Sequence, residues 1–250
     1  MGGIWRLIPF TFAVMVIGNL ALTGIPPLSG YFSKDMVIEA AHAAHTGVGT
    51  YAFTLGIAAA LLTSFYSWRL TFLTFFGTPR ADKKTMDHVH ESPYVMTVPL
   101  AGLALGAVFA GMIGYSTFVG EGRQDFWRDA IMVFSSQDSI GEVLENHPAF
   151  YIKYLPLFVS LVGLGTAYLM YIRHPELPGK LAAMFPGVYK FLLNKWYFDE
   201  LYNFILVKNA FRFGRWFWKG GDTHVIDGYG PDGISAATIR AAKRISAVQS

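Results

Sequence analysis

The sequence predicts an all-α polytopic membrane protein, and three observations carry that reading. Of its 250 residues, 53% are hydrophobic, 16% aromatic and only 15% charged, well under the roughly 25% charged of soluble domains, and the mean hydropathy is +0.36. Four stretches, 7–32, 48–68, 94–119 and 155–172, hold no Asp, Glu, Lys, Arg or His. Each has about the 18 to 25 residues that cross roughly 30 Å of hydrocarbon. The first stretch is interrupted by Gly24-Ile25-Pro26-Pro27 and followed by the adjacent ionisable pair Lys34 and Asp35.

The interruption defines the first element. Residues 31–44 are too few to cross alone, so 9–22 and 31–44 read as two halves of one span broken over 24–30, with Gly24, Pro26, Pro27 and Gly30 as the break. Pro26 and Pro27 have no amide hydrogens to continue the helix and free carbonyls beside the lysine, and Ser29 is a candidate cap for the second half. An ionisable side chain at the centre of a bilayer helix costs roughly 2.5 to 3.5 kcal/mol on insertion scales, which marks Lys34 and Asp35 as candidates for an ion or proton path. Irregular backbone at membrane depth survives only where protein or a water-filled cavity satisfies it.

The next three stretches are continuous spans, giving one discontinuous and three continuous crossings. In the second span Thr63, Ser64, Tyr66 and Ser67 form a polar side, read either as lining hydrated space or, in preference, as interhelical contacts, and Arg69 snorkels from its end. Parity puts loop 77–93 and everything after residue 172 on one side, with loop 120–147 opposite. The first side holds Arg80, Lys83, Lys84, Arg173, Lys180, Lys190 and Lys195; the other holds Arg123 and Arg128 among six carboxylates. The positive-inside rule makes the C-terminal tail cytoplasmic. His88, His90 and Glu91 lack the helical HExxH spacing of a zinc site and read as a solvated loop.

Past His174-Pro175 the composition shifts, and three regions follow: 1–46, the broken span; 47–172, three spans and their loops; and 173–250, an amphipathic lateral tail. In the tail Phe198, Leu201, Tyr202, Ile205 and Leu206 recur at helical spacing among Asp199, Glu200, Asn203 and Lys208. Phe211, Phe213, Trp216, Phe217 and Trp218 then alternate with Arg212, Arg215 and Lys219, the pattern of a helix lying in the headgroup zone of the lipid bilayer. Gly220-Gly221 and 228–233 are expected to break this helix, with a last helix over 235–248.

With no cysteine, disulfides, thiolate metal sites and cysteine-ligated clusters are excluded. A formal charge of +3 and a pI near 9.0 do not imply nucleic acid here, because the bases sit in loops and tail. No metal site, phosphate-binding glycine loop or nucleophile triad is present. The first apolar run is too long for a secretory signal and lacks a small-residue cleavage site.

The order of a broken span with P-P-L-S-G-Y-F-S-K-D, a span ending T-S-F-Y-S-W-R-L-T-F-L-T-F-F-G, two more spans, W-Y-F-D-E-L-Y-N and D-G-Y-G-P-D-G resembles the distal, largest antiporter-like membrane-arm subunit of respiratory complex I. The likeness covers nearly the whole chain, and the blocks 26–35 and 196–202 together make it specific. It implies about sixteen spans in the full subunit, so this chain resembles the C-terminal part without the final span, and Met1 reads as an internal position. It implies proton translocation coupled to electron transfer from NADH to ubiquinone, as part of a translocase whose flavin, iron–sulfur clusters and quinone lie in partner subunits, with no cofactor in this chain. The expected partners are the other membrane-arm subunits, especially adjacent antiporter-like ones. The expected site is the bacterial inner membrane, or the mitochondrial inner membrane if organellar.

By resemblance, Lys34 is the buried protonatable lysine of the broken helix. A lysine in a partly dry cavity has its charged form disfavoured and can exchange a proton when a nearby charge moves. Asp35 is its pairing partner or next acceptor. Glu39 and His42, at i+4 and i+7 from Asp35, read either as an exit wire on one helical face or as side chains approaching the aqueous end. Phe198, Asp199, Glu200, Leu201 and Tyr202 are expected to pack the lateral helix against neighbours. Rival readings are the large subunit of a multisubunit Na+/H+ antiporter, a structural brace of the membrane arm, or a membrane-bound hydrogenase subunit.

Overall fold

A computed structural model describes residues 1–134 and 138–249, all of whose regular elements are helical. They form two units, Met1–Gly179 and Lys180–Ser250. In the first, a short turn precedes α1 (Pro9–Thr23); a π-helical turn, Tyr31–Asp35, leads into α2 (Met36–Ala43); then come α3 (Gly47–Phe75), α4 (Lys83–Asp87), α5 (Tyr94–Phe118), α6 (Arg123–Trp127), α7 (Ser139–Asn146) and α8 (Phe150–Tyr168).

Local chemistry sets the boundaries. Pro9 opens α1 at a position where its missing amide hydrogen costs nothing. Gly24 ends it with φ 77°, a left-handed value suited to glycine, and the amides of Gly24 and Ile25 turn back onto the carbonyls of Ala21 and Leu20, both at 3.1 Å. Thr46 caps α3, its hydroxyl accepting from the Gly49 amide at 2.9 Å. No side-chain cap starts the π turn. Ser29 therefore does not cap it as expected, because the helical backbone already begins at Ser29.

Helices α3, α5 and α8 with its π-helical continuation to Arg173 are long and apolar enough to cross a membrane, and α1 is a shorter apolar helix. α3 runs to Phe75, beyond the uncharged stretch, because Arg69 stays exposed and lays its guanidinium over the Tyr171 ring at 5.5 Å. α1 begins beside Glu91, next to the start of α5, while α2 ends against α7, next to the loop that follows α5. The broken element thus covers the same depth as the continuous helix α5.

α3 packs mainly on α8, and α1 on α3 and α5. The α3–α8 seam is built from small residues: the Ser64 hydroxyl donates to the Ser160 carbonyl at 2.5 Å, and a Cβ at Gly163 would stand 2.6 Å from the Leu61 carbonyl oxygen. Close approach of small residues replaces the hydrophobic drive that lipid removes. Across loop 120–147, Arg123 grips the Asp138 carboxylate with two nitrogens, and Asp138 also caps α7 through the Gly141 amide at 2.9 Å. Burial pushes that carboxyl up, but the Arg123 hydrogen bond, the Gly141 amide and the Arg123 charge outweigh it and hold Asp138 below its usual range.

The second unit follows the boundary inside α9 (Leu177–Met184). It contains α10 (Pro186–Leu193), three consecutive left-handed residues, Lys195, Trp196 and Tyr197 (φ 52°, 61° and 59°), then α11 (Phe198–Tyr202), a π turn, α12 (Lys208–Trp216), a long π segment Phe217–Asp227 and α13 (Pro231–Gln249). Two expectations are corrected here. Gly220-Gly221 lie inside the helical run rather than breaking it, and only Gly230 leaves helical geometry before Pro231 opens α13. Each glycine costs a helix only about 1 kcal/mol, and proline suits a first helical turn. The π turn Asn203–Val207 also interrupts the regular helical spacing read across 198–206.

Replacing Gly163 by Val is expected to lower the melting temperature of the complete subunit in detergent by several degrees, as overpacking costs roughly 1 to 3 kcal/mol; Gly165→Ala, where a Cβ meets nothing within 4 Å, serves as the neutral control. The Asp138 anchor has a depressed folded value, so its contribution is complete above the ordinary aspartate range, about 3.9, and is lost as pH falls through the lower folded value. Trypsin cleavage at Arg128, normalised at each pH to cleavage of an unstructured peptide, should accordingly be constant above that range in the wild type and faster throughout in Asp138→Ala.

Candidate functional site

The π turn places Lys34 and Asp35 against the C-terminal end of α1. Lys34 Nζ donates to the Thr23 carbonyl at 2.7 Å and stands 3.9 Å from Asp35 Oδ1. The lysine side chain is 26% exposed and the aspartate 2%, so the lysine reaches the edge of the protein while its partner is enclosed. A carbonyl at a helix C-terminus is a natural acceptor for an ammonium, since the helix dipole concentrates negative charge there. Both Asp35 oxygens lack a hydrogen-bond partner among the described residues, leaving the ammonium beside it as its main compensation. A buried carboxylate so placed is costly.

The break makes this geometry possible. A Cβ on Gly24 would lie 2.9 Å from Lys34 Nζ, and one on Gly30 would lie 1.8 Å from the Ala21 carbonyl oxygen. Gly30 therefore lets the second half-helix dock on the end of the first. The prolines Pro26 and Pro27 occupy the connection between them.

A buried polar chain extends from Thr23. Its carbonyl also accepts from the Ser160 hydroxyl at 2.9 Å, and its hydroxyl donates to the Asn19 carbonyl at 2.9 Å. Asn19 donates to Thr71 Oγ1 at 2.9 Å, and Thr71 donates to the Ser67 carbonyl at 3.2 Å. Ser64 and Ser67 are buried, and the Ser64 hydroxyl makes an interhelical contact as expected, whereas Tyr66 is exposed and departs from that expectation.

Glu39 lies one turn beyond Asp35 and is buried. It lines a cavity of about 280 Å³ with Tyr31, Tyr115, His147 and Lys153. His42 departs from this row: it is exposed, with its ring edge-on to Phe53 at 5.1 Å. His45 joins Glu142 at 2.6 Å at the end of α2. Asp35 and Glu39 are thus enclosed, and the two histidines belong to the surface. In the second unit Phe198, Asp199, Glu200, Leu201 and Tyr202 are all exposed; Phe198 and Tyr202 stack at 6.1 Å, and Lys195 pairs with Asp199 at 2.9 Å.

Sequence reasoning missed three participants. Thr23 acts through its backbone carbonyl, which no side-chain pattern reveals. Ser160 sits in an apolar run as one hydroxyl among many. Glu91 was read as part of a solvated loop, whereas it hydrogen-bonds to the start of α1; its position two residues before the proline that precedes α5 was the available signal.

Residues 1–63 match the family model for the transmembrane region of NADH:quinone oxidoreductase and Mrp antiporters. The chain is 39% identical to NADH-quinone oxidoreductase subunit L of Rhodobacter capsulatus, over 91% of this chain and 40% of that protein. It is 34% identical to NADH-ubiquinone oxidoreductase chain 5 of Marchantia polymorpha, over 100% of this chain and 38% of that one, and 35% identical to subunit L of Rickettsia felis, over 94% and 37%. The chain spans about two fifths of the length of these relatives.

Gly30→Ala is expected to separate the two half-helices and sharply reduce the amount of assembled complete subunit on a native gel, whereas Gly18→Ala, with nothing within 4 Å of its Cβ, should leave it unchanged.

Proposed function

Because the chain belongs to the NADH:quinone oxidoreductase/Mrp antiporter family, we propose that it is the part of a proton-translocating membrane subunit that carries the protonatable lysine of one half-channel. The subunit works in NADH:quinone oxidoreductase, where proton movement is coupled to electron transfer from NADH to ubiquinone. Flavin, iron–sulfur clusters and quinone belong to partner subunits, and adjacent antiporter-like subunits are the neighbours along the membrane arm. The host membrane is the bacterial inner membrane or its mitochondrial counterpart. The observation that carries the reading is the contact of Lys34 Nζ with the Thr23 carbonyl at a helix break, with Asp35 enclosed beside it.

The chemistry follows from that arrangement. The Thr23 carbonyl and the Asp35 carboxylate both favour the ammonium form of Lys34, and enclosure of the pair disfavours separated charge. Protonation of Asp35, or the approach of another charge, removes one of these supports and releases the lysine proton; the two groups titrate as a coupled pair. Glu39, on the same face as Asp35, and its cavity toward loop 120–147 offer an onward path. By the lysine and arginine distribution that loop lies on the non-cytoplasmic side. The exposed aromatic and basic residues of the second unit support contact with lipid headgroups and with neighbouring subunits.

A second reading, the large subunit of a multisubunit Na+/H+ antiporter, is favoured only by the shared family description. The relatives above are named for NADH oxidoreductases along nearly the whole chain, which supports the first.

The test is proton pumping per NADH oxidised in sealed membranes carrying the complete subunit, with assembly followed on native gels. Lys34→Ala should lower pumping in a fully assembled complex. Lys34→Arg keeps the positive charge but cannot deprotonate, and should lower pumping equally. Normal pumping in either variant sinks the relay and leaves the region a brace, and sodium-dependent transport without NADH would favour the antiporter.

A further inference from the structure

The first amides of any helix lack intrahelical acceptors, and Ile8, which precedes α1, provides no side-chain cap. The acceptors come from Glu91, about 80 positions away. Its Oε1 accepts from the Phe10 amide at 2.7 Å and the Thr11 amide at 3.1 Å, and its Oε2 accepts from the Thr11 hydroxyl at 2.8 Å. Slight burial pushes the Glu91 carboxyl up, but the Thr11 hydroxyl and the backbone amides outweigh it and hold it below the ordinary glutamate range.

The other end of α1 is held as well, since the Thr23 carbonyl accepts from Lys34 Nζ and Ser160 Oγ. An anion therefore sits at the positive end of the helix dipole and a cation at the negative end, each the favourable choice. Between them lie 15 residues, a rod of roughly 22 Å at 1.5 Å per residue. A helix resists compression along its axis, so its N-terminal anchorage fixes where its last carbonyl stands. Asn19, bonded to Thr71, is a side-chain tie along the rod and alone sets neither end.

We propose that Glu91 is a positioning residue for Lys34: by pinning the start of α1 it sets the place of the Thr23 carbonyl, and with it the lysine ammonium in the π turn. The functional consequence rests on the relay reading of Lys34; the structural coupling does not.

The experiment uses the complete subunit in its membrane complex, with Glu91→Ala, Glu91→Gln and Lys34→Ala alone and combined. Hydrogen–deuterium exchange is measured over residues 9–12 and 31–36, alongside pumping per NADH. Loss of the charged acceptor should speed exchange roughly tenfold in both windows, although the second is remote from the substitution. Glu91→Gln retains one neutral acceptor oxygen and should show a smaller change of the same pattern; it carries the comparison if the alanine variant does not assemble. Pumping should fall in Glu91→Ala but fall no further when it is added to Lys34→Ala.

Faster exchange confined to residues 9–12 would make Glu91 a local cap and overturn the proposal, as would unchanged exchange in both windows. If Lys34→Ala pumps normally, the relay reading fails, while the exchange at residues 31–36 still decides whether Glu91 positions the lysine.

Discussion

The hydrogen bond from Lys34 to the Thr23 carbonyl is the contact on which the first unit is organised. It exists because α1 stops inside the apolar layer, leaving carbonyls that no further turn can use. In water such a helix end would be solvated; at membrane depth it must be met by protein. A lysine on the next half-helix meets it, and the same bond gives the lysine a partner in a place where an unpaired ammonium would cost several kcal/mol. Each group removes the other's penalty, so the break and the lysine are one feature.

Around this contact the helices approach through small residues rather than interdigitating large ones. Gly24 and Gly30 admit the second half-helix, and Gly163 and the Ser64–Ser160 bond bring α3 and α8 together. Their hydroxyls also continue the polar chain from Thr23, so packing and the satisfaction of the broken backbone use the same side chains. Large aromatic side chains cluster at the α1–α3 end instead, where Phe12 meets Phe75 at 5.1 Å and Phe76 at 5.6 Å.

The second unit follows a different logic. Its helices bury almost nothing against each other, and its Trp, Phe, Arg and Lys side chains remain exposed. A helical run of this kind is stabilised by backbone bonds and by whatever surface it lies on, which is why glycine pairs interrupt it so little. Its left-handed residues Lys195, Trp196 and Tyr197 confine the sharp change of chain direction to the start of the F-D-E-L-Y block.

Much of the architecture was legible in the residues alone. Uncharged runs of spanning length, the Gly24 to Pro27 interruption and the Lys34-Asp35 pair determine the helical class, the three long apolar helices and the place of the break, because hydrophobic length and backbone chemistry are local properties. Tertiary structure decided what those residues meet. Asp35 and Glu39 are enclosed while His42, on the same nominal row, is exposed, because α3, α7 and α8 cover only part of α2 and α5 meets only the π turn before it. The Thr23 carbonyl and Glu91 enter the site through backbone polarity and an 80-residue separation, neither of which leaves a periodic trace. Sequence fixes which groups need a partner; only the packing of distant segments determines which partner each one finds.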